Sequence, residues 1–339
     1  MNKRIITTAF LIIAAFVVKA QCNVDIIDST IYKIEKLPSI VFNNIFSFKA
    51  TGSPITKLIS IRPLPLCNLY QYNPYKFNLE KNIHVELVTD ADTTNAFLRQ
   101  TITDGGRLNK LNNQGLICTD VCVVQPHKVT VDFKKIKKIY PYDTQSTLYK
   151  TYTAEQLPDI AVNNTKAKAT AEFIWKKSKG NVIKYARKCY EAVAESLKYH
   201  DDPDMLSFEE IITRGGGNCG SFASVYVTLL RIKGIPARHV IALLQNRGYH
   251  VWTEFYLERY GWIPVDPTWK NGNMKEDYFG RYDGSAVVIG RGIYVPLKFD
   301  DGTVKSTRSL QNGWPTYWWN GPKKPEFYFS HDHTSWKME

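Results

Sequence analysis

Gly215-Gly-Gly-Asn-Cys-Gly220 runs directly into Ser221-Phe-Ala-Ser-Val-Tyr-Val-Thr-Leu-Leu-Arg-Ile-Lys233, and the architecture turns on how that junction is read. Three successive glycines permit backbone angles and close approaches that side chains forbid, and Asn218 is a good N-cap for the apolar run. Cys219 therefore sits in the first turn of a helix. Phe222, Tyr226, Leu229 and Leu230 have helical spacing, Arg231 and Lys233 suit the negative end, and Gly234 with Pro236 stops the helix near Lys233. A thiol at the positive end of a helix has its thiolate stabilised, which makes Cys219 a candidate nucleophile.

A nucleophilic thiol needs a base, and the base needs an orienting partner. His250 opens His-Val-Trp-Thr-Glu-Phe-Tyr-Leu, which reads as a strand; Asp266 lies in Gly-Trp-Ile-Pro-Val-Asp-Pro-Thr-Trp, which reads as the next. The turn falls near Glu258 to Gly261. A loop with an odd number of residues puts His250 and Asp266 on one face of the hairpin, opposite or one diagonal step apart, whereas a two-residue turn puts them on opposite faces. The expectation is a three- or five-residue loop with a bulge at Gly261. Trp252 and Glu254 share the face of His250 and are expected to shape the pocket.

Gly-Gly-Gly-Asn-Cys-Gly at 215–220, Arg-Ile-Lys-Gly-Ile-Pro-Ala-Arg at 231–238, His-Val-Trp-Thr-Glu-Phe at 250–255 and Gly-Trp-Ile-Pro-Val-Asp-Pro-Thr at 261–268 together resemble the transglutaminase-like superfamily. The resemblance covers about Tyr149 to Asn271. It implies a papain-related core with Cys, His and Asp in that order, here Cys219, His250 and Asp266. The short signature that surrounds the cysteine in papain itself is absent. The chemistry implied is acyl transfer from an amide: Cys219 attacks the carbonyl, His250 carries the proton to the leaving amine, and Asp266 orients the ring. The backbone N–H of Cys219 is the simplest first oxyanion donor. No calcium loop of the kind the animal transglutaminases would need is recognisable, and neither a cofactor nor a metal is expected.

Met1 to Ala20 carries Lys3 and Arg4, an apolar run Ala9 to Val18, and a small residue before Gln21, the pattern of a secretory signal too short to span a membrane. Cys22 raises lipid anchoring as the lesser alternative, because Gln21 stands where a lipid signal wants a small residue. Loss of residues 1–20 removes Lys3, Arg4 and Lys19 and no acid, so the net charge of +12 falls by three to +9. Such a balance suits acidic surfaces or glycans. The lysines are scattered and form no nucleic-acid motif, so no nucleic-acid partner is expected. Six cysteines leave five besides Cys219, an odd number for pairing.

Residues 21–145 read as a β-sandwich, from short alternating runs such as Ile83-His-Val-Glu-Leu-Val and Lys128-Val-Thr-Val-Asp-Phe with turn signals at Gly52-Ser-Pro and Asp104-Gly-Gly. Residues 146–275 read as an α+β core, with helices at Thr165–Lys177, at Val182–Tyr199 with Cys189 on its apolar face, and from the capping box Ser207-Phe-Glu-Glu. Residues 276–339 are rich in aromatics, including Trp314, Tyr317, Trp318, Trp319, Phe327, Tyr328, Phe329 and Trp336, and are expected to pack as an extension on the catalytic core. The functional expectation is an exported cysteine peptidase or amidase acting on a protein or peptide, cell-wall peptide among the candidates. A transglutaminase that hands the acyl group to an amine, and a binding protein that keeps the scaffold without reacting, are the alternatives.

Overall fold

A computed structural model of the chain describes residues 27–73, 84–90, 94–202, 205–245, 248–299, 302–308 and 313–337; residues 1–20, read above as a secretory signal, and Cys22 lie outside the described residues. The N-terminal part runs β1 (Tyr32–Lys36), β2 (Ile40–Thr51), β3 (Ile55–Leu64), β4 (Gln71–Tyr72), β5 (His84–Thr89), β6 (Ala96–Ile102), α1 (Gly105–Asn113) and β7 (Leu116–Val131). The middle part runs α2 (Thr147–Thr153), α3 (Thr165–Lys177), α4 (Val182–Ser196), β8 (Lys198–Tyr199), α5 (Phe208–Arg214), β9 (Gly216–Gly217), α6 (Cys219–Ile232), β10 (Ala237–Leu244), β11 (Tyr249–Leu257), β12 (Gly261–Val265) and α7 (Pro267–Gly272). Then come β13 (Arg281–Tyr282), β14 (Ala286–Arg291), β15 (Val295–Lys298), β16 (Val304–Thr307), β17 (Trp314–Trp319) and β18 (Glu326–Lys337).

Two antiparallel sheets form the sandwich, one in the order β1-β7-β2-β18 and the other β17-β3-β6-β5. Period-two alternation explains the inner faces: Phe46, Phe48 and Ala50 of β2 are buried against Ile55 and Leu58 of β3 and Ile102 of β6. Asp104-Gly-Gly, read as a turn signal, starts a helix instead. The Asp104 side chain accepts from Arg107 N at 2.9 Å, and Leu108 and Leu111 of α1 close one end of this core.

The aromatic C-terminal stretch is not an extension on the catalytic core. β18 pairs with β2 along its whole length, from Glu326 opposite Thr51 to Lys337 opposite Ile40, and β17 pairs with β3. The alternation Phe327, Phe329, His331, His333 supplies the inner face of a sandwich strand, and Tyr317 stacks on Phe327 with ring centroids 4.3 Å apart. The first part of the stretch does join the middle part of the chain: β14 pairs with β10 in the sheet β12-β11-β10-β14, Phe279 stacks on Phe255 with ring centroids 5.8 Å apart, and Gly280 N donates to Pro264 O at 2.7 Å.

α6 is the hub of that part. Every residue from Ser221 to Arg231 is buried, as an all-round apolar helix requires, and α3, α4 and the sheet enclose it. α4 ends at Ser196, short of Tyr199, and the two residues Lys198 and Tyr199 become β8. Sandwich and catalytic part share one continuous apolar core, in which Phe42, Ile61, Phe97 and Val124 meet the cluster that holds Phe222, Val251 and Phe255. The chain is thus an α+β protein with β-sheets preceding a helix-and-sheet core. Among the described residues no helix is long and apolar enough to cross a membrane.

Candidate active site

Gly215 is the C-cap of α5 in the left-handed region, φ 70°, and its N–H donates to Ile211 O at 2.9 Å. The chain then lies parallel to β8, with Lys198 N donating to Gly215 O and His200 N to Gly217 O, each at 3.0 Å. A Cβ on Gly216 would sit 2.0 Å from the Lys198 carbonyl oxygen, so glycine is obligatory there. Asn218 follows as the N-cap: its Oδ1 accepts from Ser221 N at 3.3 Å, and its Nδ2 donates to Asp202 O at 3.0 Å. These restraints put Cys219 at the first residue of α6, half-buried, among backbone N–H groups that the helix itself leaves without acceptors.

The hairpin that carries the other two residues has a three-residue loop, Glu258 to Tyr260, turned by positive φ at Arg259 (69°) and Gly261 (106°). β11 and β12 then pair without a register shift, Leu257 opposite Gly261 through Thr253 opposite Val265, so the bulge expected at Gly261 is replaced by these two backbone conformations. That register sets Asp266 one diagonal step from His250. Nε2 of His250 lies 2.6 Å from Oδ2 of Asp266, and both side chains are buried. Oδ1 of the same carboxylate accepts from Trp269 N at 2.9 Å as the N-cap of α7, while Asp266 N donates to Tyr278 O at 3.2 Å. Each carboxylate oxygen has its own partner, which fixes the plane of the group. With Nε2 on Asp266, Nδ1 is the nitrogen available to a second partner, and Cys219 lies close enough to contribute to the raised pKa of the ring.

Burial alone would depress the His250 pKa, but the charge and hydrogen bond of Asp266, joined by the contact with Cys219, outweigh it and push it up to about 10. That shift favours the protonated ring, with Asp266 as its counter-charge. Trp269 stacks flat on it, centroids 4.7 Å apart and planes at 9°, and Trp252 flanks it at 5.9 Å. At the rim, burial and the nearby Cys219 raise the pKa of the Tyr199 phenol, which stands half exposed beside the glycine loop. A thiol, an imidazole with a fixed proton position and a carboxylate that holds it can perform nucleophilic acyl transfer.

Glu254 departs from its expected role. It is fully buried, with Oε1 at 2.6 Å from Arg238 Nε and Oε2 at 2.6 Å from the Tyr70 hydroxyl, so it lines no pocket. Arg238 lies in the segment 231–238 quoted above, and the pairing of a buried Arg with the Glu on the adjacent strand was there to be read as cross-strand partners. Trp269, quoted at the end of the Asp266 motif, was not assigned to the ring. Tyr70 gave no signal at all, because its contact with the site spans 184 residues of sequence.

Residues 168–267 match the family model described as Transglutaminase-like superfamily. No curated protein matches the chain. Among solved structures, the chain is similar to "a Putative Cysteine Protease from Cytophaga hutchinsonii" at 15% identity and TM-score 0.56, covering 90% of this chain and 100% of that one. It is also similar to the periplasmic domain of TgpA from Pseudomonas aeruginosa (12% identity, TM-score 0.34, 65% of this chain and 91% of that one). A third likeness is to Legionella pneumophila LapG (19% identity, TM-score 0.31, 40% of this chain and 87% of that one).

Proposed function

We propose that this chain, whose residues 168–267 match the transglutaminase-like superfamily, is a thiol hydrolase of peptide or amide bonds in which Cys219, His250 and Asp266 form the catalytic triad. The observation that carries the reading is the 2.6 Å contact of Asp266 with Nε2 of a buried imidazole that stands near a thiol at the start of a helix. Cys219 sulfur attacks the carbonyl carbon, and the oxyanion is met by N–H groups of the first turn of α6. The imidazolium then delivers its proton to the leaving nitrogen, the C–N bond breaks, and a thioester remains. Water adds to the thioester, His250 takes one of its protons, and the acid departs as the thiolate is restored.

Hydrolysis is favoured over transfer because a transferase must hold an amine in place and strip its proton before attack. The basic balance of the chain works against a cationic acceptor, although salt screens that repulsion beyond about 8 Å. Export through the signal at residues 1–20 is part of the proposal, with envelope or extracellular peptides as substrates. Protein recovered from its host is expected to begin at Gln21, and an acylated chain beginning at Cys22 would replace a free exported protein with an anchored one. The reaction itself is tested by incubating the protein with the intact parent of a peptide that it cleaves or deamidates, plus excess primary amine, and weighing the products. Free acid is the expected product; a dominant amine adduct at modest amine concentration would establish a transglutaminase.

A further inference from the structure

Tyr70 carries the sandwich to the neighbourhood of the site. Tyr70 lies in the turn between β3 and β4, where its N–H donates to Asn68 Oδ1 at 2.8 Å and its carbonyl accepts from His127 N at 2.8 Å. Gln71 next to it grips β14 through its side-chain amide, Nε2 donating to Val288 O and Oε1 accepting from Val288 N, both at 2.8 Å. The turn is thereby tied to β7 on one side and, through Gln71, to β14 on the other.

The ring of Tyr70 has no exposed surface. It meets Trp252 edge-on at 5.3 Å and Tyr282 at 4.9 Å, while Trp252 and Tyr282 stack on each other at 4.9 Å. Its hydroxyl donates to Oε2 of Glu254 at 2.6 Å, and Oε1 of that carboxylate is held by Arg238. Trp252 and Glu254 are the next two residues along β11 on the face of His250, and the Trp252 ring is one wall of the imidazole. A fully buried carboxylate keeps one orientation while both oxygens are satisfied, and removal of one donor leaves a buried acceptor without that hydrogen bond. An indole packed between two tyrosines likewise has a single position, and that position limits the tilt of the imidazole.

We propose that Tyr70 is a positioning residue for His250, supplied by the N-terminal sandwich, so that the catalytic geometry is complete only when this turn is docked on β11 and β14. The inference rests on the triad reading above and extends it to a part of the chain outside the transglutaminase-like segment.

The test is Tyr70→Phe, which keeps the ring and removes the hydroxyl, compared with Leu108→Ala, a cavity in the sandwich core away from the site. Two readouts are taken: the rate of Cys219 alkylation by iodoacetamide, with Cys219→Ser as the blank, and the downfield proton of the His250–Asp266 hydrogen bond by NMR. Tyr70→Phe is expected to slow alkylation by about ten- to a hundred-fold and to shift that resonance. Leu108→Ala is expected to lower the Tm and move neither. Glu254→Gln, which removes the acceptor charge and leaves Tyr70 in place, is expected to reproduce the slowing and serves as the second variant should Tyr70→Phe fold poorly. Wild-type rates in Tyr70→Phe and Glu254→Gln, or equal slowing in Leu108→Ala, would overturn the proposal. If wild-type Cys219 reacted no faster than in His250→Ala, the triad reading itself would be at fault instead.

Discussion

The carboxylate of Asp266 divides its two oxygens between the imidazole of His250, 2.6 Å away, and the backbone N–H of Trp269, 2.9 Å away. One residue thus ties the end of β12 and the start of α7 to the ring, and the same α7 presents the Trp269 face that covers it. Asp266→Asn separates the two duties. Asparagine caps a helix as well as aspartate does, so the start of α7 should be kept, while loss of the negative charge removes the main group that raises the pKa of the ring and should lower the Tm at neutral pH. Turnover is expected to fall by about 10³- to 10⁴-fold, measured as kcat on any peptide the wild type cleaves.

Two buried histidines should give the pH dependence of stability opposite slopes. His250, pushed up to about 10 against an ordinary 6.5, binds its proton more tightly in the folded chain; its contribution is complete below about pH 6.5 and is lost as pH rises toward 10. His239 is pushed down to about 4, by burial first and then by the charge of Arg231, with Nε2 3.2 Å from Ser224 Oγ. Its contribution is complete above pH 6.5 and is lost as pH falls toward 4. Urea melts across this range should show a maximum near neutrality. His250→Gln is expected to flatten the alkaline side alone, and His239→Gln the acid side alone.

Gly216→Ala should not be tolerated. The added methyl would stand 2.0 Å from a backbone oxygen of β8, and backbone cannot swing aside as a side chain does. A loss of about 4 kcal/mol or more is expected, read from the denaturation midpoint. Gly272→Ala, whose Cβ meets no atom within 4 Å, should be near neutral and is the paired control.

Much of the site was legible because its determinants are local. The glycine loop, the Asn218 cap, the run to Ile232 and the odd-numbered hairpin loop are each set by residues within a few positions of one another, and helix α3 matches its periodic stretch end to end. The misreadings share the opposite cause. Phe327 and Phe329 alternate as a strand does, but nothing near them in sequence says that the partner is β2, 281 residues away for the pair Phe329 and Phe48. Asp104-Gly-Gly carries both a turn signal and an N-cap, and the choice is made by Leu108 and Leu111 finding an apolar seat. Glu254 looked like a pocket residue because its buried partners, Arg238 and Tyr70, come from a neighbouring strand and a distant turn.

Truncation before Trp314 follows from that strand pairing. It would uncover β2 and β3 and strip Tyr317, Phe327 and Phe329 from the sandwich core. The exposed strand edges and apolar face should make the shortened chain aggregate and lose turnover. A soluble, fully active truncate, judged by gel filtration and peptide cleavage, would show that the two strands are dispensable to the sandwich.

The most direct test of the central claim compares wild type and Cys219→Ala on a mixture of unfolded proteins and peptides, with new termini identified by mass spectrometry. Alanine fits the first turn of α6, so the Tm should be nearly unchanged and the fold intact. The account predicts new carboxyl termini or deamidated side chains with wild type and none above background with Cys219→Ala. Equal product from both proteins would contradict it, because the sulfur would then form no part of the reaction.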